Sequence, residues 1–156
     1  MNGRSLIWIL IIIGIVVVVI LFTKSTKNIA TNNQEVAIEF VKSSEVIPNM
    51  ETTKQIVLKT EDEWRNTVGT PSTIDFTKNT ALLVCMGKRM TGGYSIEILS
   101  IIQKENKIHV AVDMISPGKY CITTQAITYP SETILIPKTD KEIIWTVTNT
   151  TKDCPQ

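Results

Sequence analysis

The stretch Ser95–Ile115, "SIEILSIIQKENKIHVAVDMI", decides the fold class. On either side of the polar run Gln103–Lys107 its apolar residues alternate with others, the period of two that marks strands half buried against a core. Ile96, Ile98 and Ile102 fall on one face of the first strand, and Ile108, Val110, Val112 and Met114 on one face of the second. A three-residue loop over Lys104, Glu105 and Asn106 brings those faces together, with Asn106 suited to the left-handed position. A two-residue loop would set one strand's apolar face against the other's polar face, because a slip of one residue exchanges the faces. The stretch reads as an antiparallel hairpin.

Outward from the hairpin the same composition continues. "ALLVCM", Ala81–Met86, is apolar on both faces and belongs in the middle of a sheet. Short runs of Ile, Val and Thr broken by Pro, Gly and Asn place strands at Val36–Glu45, Gln55–Lys59, Thr80–Met86, Tyr94–Lys104, Lys107–Ile115, Tyr120–Thr128, Thr133–Ile136 and Ile143–Thr148. One helix stands out in "KTEDEWRNTVG", Lys59–Gly69. Thr60 can cap it, Glu63 can close a capping box, acids fill the first turn, Gly69 can end it, and Trp64 is its core anchor. The expected fold is mainly β: a single antiparallel sheet or sandwich-like domain with one short helix.

Before that domain, Leu6–Phe22 is "LIWILIIIGIVVVVILF", an uncharged run long enough as a helix to cross about 25 Å of hydrocarbon. It exceeds the apolar region of about 7 to 15 residues found in signal peptides, and no A-x-A cleavage pattern follows, so it reads as an uncleaved transmembrane anchor. The expected order is a flank at 1–5, a transmembrane helix at 6–22, a polar tether at 23–34, a β-rich domain at 35–150 and a tail at 151–156. Arg4 before the helix and Lys24 and Lys27 after it nearly balance the basic bias that sets topology.

Setting aside those three cations leaves 13 of the 16 basic residues against all 15 acidic ones, so the domain is close to neutral. Nucleic acid is therefore not an expected partner, since displacing counterions from phosphate needs a concentrated basic surface. His109, the one histidine, falls opposite the apolar face of its strand, where an exposed structural histidine is the simpler reading than a catalytic base. Glu61, Asp62 and Glu63 serve the helix start, and Glu97 and Asp113 read as solvent-facing strand residues. No phosphate loop, dinucleotide fingerprint or metal-ligand spacing occurs, so no enzyme activity, cofactor, metal or small-molecule substrate is expected. Of Cys85, Cys121 and Cys154, Cys85 reads as a small buried hydrophobe. Outside the cytoplasm Cys121 and Cys154 could pair, because Cys154 sits on a tail; free thiols are the alternative.

What remains is "GKRMTGGYSIEI", Gly87–Ile98. Adjacent glycines imply positive φ or a close approach to the backbone, which makes Lys88, Arg89, Met90, Thr91, Gly92, Gly93 and Tyr94 candidates for binding a partner. The competing reading is architectural: a bulge with Tyr94 packed beneath it. With the preceding strand "TALLVCM" and the later "VDMISPG", "TTQAITYP" and "ILIPK", the stretch resembles the C-terminal domain of the PrcB family, named for a non-catalytic subunit of a bacterial surface protease complex. The similarity spans about Ile56 to Lys138. Tyr120 and Cys121 depart from the family pattern, and a membrane helix replaces the lipid anchor expected of some relatives.

The resemblance implies an extracytoplasmic accessory module that docks or stabilises a protease or another surface protein, without catalysis; the apolar run adds the expectation that it is membrane-anchored. Met90–Tyr94 also resembles the glycine and tyrosine loop of chagasin-type cysteine-peptidase inhibitors, which makes a loop-based inhibitor the alternative. A structural cell-surface or pilus-like protein fits the N-terminal apolar run but not this motif.

Overall fold

The computed structural model describes residues 35–154 apart from Val46. The apolar run at 6–22 and the tether at 23–34 lie outside the described residues. Among the described residues no helix is long and apolar enough to cross a membrane. The elements in chain order are β1 (Val36–Ala37), β2 (Val41–Lys42), β3 (Thr53–Leu58), α1 (Glu61–Val68), β4 (Asn79–Met86), β5 (Ser95–Lys104), β6 (Lys107–Pro117), β7 (Ser131–Pro137) and β8 (Glu142–Lys152).

These strands form two sheets of four, in the orders β1-β5-β6-β8 and β2-β7-β4-β3. Leu82, Val84 and Met86 of β4, with Ile134 and Ile136 of β7, pack on Ile98 and Ile101 of β5 and on Ile108, Val110, Val112 and Met114 of β6. On the opposite face of β4, Ala81, Leu83 and Cys85 pack with Leu58, Trp64 and Val68. Alternation along one strand thus serves two cores, which is why "ALLVCM" carries no polar residue. Of the expected single sheet or sandwich-like domain, the structure has the sandwich: two layers, with α1 covering the second sheet.

The helix follows its local signals. Thr60 Oγ1 accepts from the Glu63 N–H at 3.1 Å, and Glu63 Oε2 accepts from the Lys59 N–H at 2.6 Å, so the capping box closes one residue earlier than its usual form. Gly69 ends the helix with φ 85 and donates to the Arg65 carbonyl at 2.9 Å. Glu61, bonded first by Ser72 and then by Arg65, has a carboxyl held below its usual range. Trp64 is fully buried against Phe76, ring centroids 6.4 Å apart.

The β5–β6 hairpin corrects its expected loop. Lys104 pairs directly with Lys107, leaving a two-residue turn in which Glu105, not Asn106, takes the left-handed conformation at φ 55. The face reversal that such a turn imposes is undone by a bulge at Leu99, between Ile98 and Ser100. Between the bulge and the turn the inward residue is therefore Ile101, while Ile102 pairs with His109 on the outer face; on the other side of the bulge Ile98 meets Val112 and Ile96 meets Met114.

Four further expectations change. The strand at Val36–Glu45 is broken because the chain crosses between sheets, β1 pairing with β5 and β2 with β7, while Ile38 and Phe40 pack on the inter-sheet core. The last strand is parallel to its neighbour: residues 138–141 carry the chain from β7 to the far edge of the other sheet, where β8 runs alongside β6. Asp113 is consequently not solvent-facing but buried, accepting from Thr148 Oγ1 at 3.0 Å and Thr150 Oγ1 at 2.7 Å. Finally, Tyr120–Thr128 is a loop, with Thr128 making an isolated bridge to Arg89.

Candidate functional site

Two loops meet at the end of the sandwich where β4 leads into β5: Gly87–Tyr94, and the segment after β6, 118–130. Arg89 and Thr128 exchange both backbone hydrogen bonds at 2.9 Å, the Gly92 N–H donates to the Thr124 carbonyl at 3.0 Å, and Thr128 Oγ1 donates to the Thr91 carbonyl at 2.8 Å. Backbone groups that a strand would give to a ladder are thus satisfied between loops, so the β-branched run "ITTQAIT" stays out of the sheets.

The glycines are needed for two different reasons. Gly93 has φ 88, where a side chain is strained, and a Cβ there would stand 3.0 Å from Thr123 Cγ2. Gly92 has an ordinary φ, but a Cβ would stand 2.3 Å from Thr124 Oγ1. What approaches this backbone is the second loop. Tyr94 is half buried against the inter-sheet core, and the Arg89 guanidinium lies over its ring. At the base, the Lys88 N–H donates to the Glu51 carbonyl at 3.2 Å. Tyr129 donates to the Glu51 carboxylate at 2.9 Å, which holds its phenol above the usual range.

Among the candidate residues, Arg89, Thr91, Gly92, Gly93 and Tyr94 therefore hold the loops together, while Lys88 and Met90 are exposed. The second loop, which sequence patterning assigned to a strand, adds exposed apolar side chains: Tyr120 is 79% exposed, Ile122 102% and Ile127 50%, with Met90 of the first loop at 70%. By the register of the Arg89–Thr128 bridge, Met90 lies opposite Ile127. A cleft of about 200 Å³ adjoins Gly93, between Ser95, Pro117, Ile122, Thr123 and Lys152. Cys121 is bonded to Cys154, Cα atoms 5.2 Å apart, which ties the second loop to the end of β8.

Residues 80–137 match the family model described as PrcB C-terminal. The match begins at the second residue of β4 and ends with β7, so it takes in both interlocked loops and the hairpin but not β3 or α1. It starts later than Ile56, the expected beginning of the resemblance. No curated protein and no solved structure matches the chain. The two stretches that carry the PrcB resemblance, "TGGY" and "TTQAITYP", are each other's partners in space.

Elsewhere the side chains of reactive type are dispersed. His109 is half buried on the outer face of the first sheet beside Ile102. Among the described residues no group of three or more His, Cys, Asp or Glu is placed to hold a metal ion. Cys85 is free and buried, and burial pushes its thiol up to about 11.

Proposed function

We propose that this chain is a non-catalytic accessory module, anchored in a membrane by residues 6–22, whose PrcB-like domain lies outside the cytoplasm and docks or stabilises a protein partner such as a protease. The observation that carries the reading is the distribution of exposed apolar side chains. Of the seven large ones among the described residues, Met90, Tyr120, Ile122 and Ile127 belong to the two interlocked loops. Exposed apolar groups gathered on a rigid support are what a protein interface requires, and Met and Tyr are enriched in interface cores. The reciprocal backbone bonds hold these loops before any partner arrives, which lowers the ordering cost of association.

The test is recovery of the intact chain from detergent-solubilised membranes with mass spectrometry of what accompanies it, alongside the double variant Met90→Ser, Ile122→Ser. Exposed substitutions usually change stability by no more than about 0.5 kcal/mol, so the variant should melt as the parent does. Loss of the co-purifying protein from that variant supports docking through the loops. Full recovery means that the loops are architecture. Inhibition of a cysteine peptidase by the purified chain, abolished in the same variant, replaces docking with the inhibitor reading.

A further inference from the structure

β8 forms one edge of the first sheet, and its outer side pairs with no other described strand. A free edge is a template for another strand, so edges are ordinarily guarded by a charge, a proline or a bulge. The opposite edge follows that practice: β1 covers Ile102 and Gln103, and the bulge at Leu99 disrupts the rest of β5. β8 does not. From Ile143 to Thr151 it has no charge and no proline, every residue but Asn149 is β-branched or aromatic, and its register with β6 is unbroken from Lys107↔Glu142 to Pro117↔Lys152. Its inward row, Ile143, Trp145 and Val147, is only half buried.

The direction of the free backbone groups fixes what can pair there. The Lys152 carbonyl accepts from the Gly118 N–H at 2.9 Å, on the β6 side. Alternation along the strand then turns the N–H and C=O groups of Ile143, Trp145, Val147, Asn149 and Thr151 outward. An antiparallel copy of the same strand meets them only in registers that oppose odd-numbered residues to odd-numbered ones. Those registers also keep the inward faces of both copies on one side.

We propose that β8 is the seam of a two-fold dimer, pairing antiparallel with β8 of a second copy about Val147. Glu142 and Lys152 are the only charged residues of the strand. Of the permitted registers, the one centred on Val147 sets Glu142 of each copy against Lys152 of the other, at both ends of the seam. A second copy is therefore the occupant whose charges this edge complements. Five odd-numbered positions exchanging two bonds each give about ten backbone hydrogen bonds, and the contact is isologous, as two-fold symmetry requires. Asn149 and Thr151 of the second copy cover Trp145 and Ile143.

The deciding experiment mixes intact chains carrying Thr146→Cys with intact chains carrying Thr148→Cys in nonionic detergent under mild oxidation. The two positions are opposed in this register as a non-hydrogen-bonded pair, with Cα atoms about 4.5 Å apart, within disulfide reach. The native cysteines do not interfere, Cys85 being buried and Cys121 bonded to Cys154. A mixed disulfide is expected, with much less product from either variant alone, because its mates would then lie about 7 to 8 Å apart. Association through another surface does not bring these positions together. In sedimentation, Glu142→Lys should weaken dimerisation about tenfold or more, and the double variant Glu142→Lys, Lys152→Glu should restore it. A chain that stays monomeric, the absence of mixed disulfide, or an association indifferent to both charge variants overturns the proposal.

Discussion

The Arg89 guanidinium stands 5.3 Å from the centroid of the Tyr94 ring, five residues further along the same loop. Both backbone groups of Arg89 are held by Thr128, and its buried Nε has no hydrogen-bond partner, so the ring face is what compensates this cation for lost solvent. Combining Arg89→Ala and Tyr94→Ala in a double-mutant cycle should give a coupling of about 0.5 to 1 kcal/mol, measured by denaturant unfolding. Additivity of the two substitutions would show that cation and ring merely lie side by side.

Gly92 and Gly93 should respond differently to a second substitution. Gly93→Ala is strained by its own backbone, costing roughly 1 to 3 kcal/mol, and Thr123→Ala should not rescue it. Gly92→Ala meets a side-chain oxygen, so its cost should fall when Thr124→Ala removes that oxygen. Thermal melts of the four variants check both statements.

Joining Cys121 to Cys154 closes a loop across a separation of 33 residues, for which chain entropy gives roughly 3 to 4 kcal/mol of stabilisation. Cys154→Ser should lower the melting temperature accordingly. A reductant should shift the parent protein by a similar amount and leave the variant unmoved.

The Cys85 thiol should resist alkylation in the native protein and react once the protein is unfolded, since burial places its pKa at about 11 against an ordinary 9.0. The folded state holds this proton more tightly than the unfolded chain. Its contribution to stability is present below pH 9 and is lost as pH rises toward about 11. Cys85→Ala should make the alkaline decline in denaturant midpoint shallower over that window.

His109→Ala should change stability by no more than about 0.5 kcal/mol and leave partner recovery intact, because the imidazole lies on the outer face of the first sheet, away from both loops. Loss of partner recovery in that variant would move the interface to that face.

Features with local causes were legible in the sequence. The caps of α1 lie within a few residues of the bonds they make, and the absence of polar residues from "ALLVCM" reports burial on both faces directly. The hairpin was legible up to one residue: the faces of Ile96 and Ile98 against Val112 and Met114 are those expected, while a turn and a bulge that offset each other leave no trace in the alternation at Leu99. The parallel placement of β8 was not legible, since alternation names a strand's faces but not its neighbour. The second half of the candidate site was hidden for a related reason. The β-branched residues of "ITTQAIT" give a strand signal, and only the path of Gly87–Tyr94 decides that their backbone bonds go to a loop.

The broken first strand has a mechanical meaning. Val36 and Ala37 grip β5, and four residues later Val41 and Lys42 grip β7, so the segment through which any N-terminal tension enters is fastened to both layers in turn. A pull on residue 35 must first peel the short grip on β5, and then transmits its load to β7, the immediate neighbour of the doubly buried β4. The path of load from residue 35 thus crosses both layers of the sandwich before it reaches the strand buried on both faces.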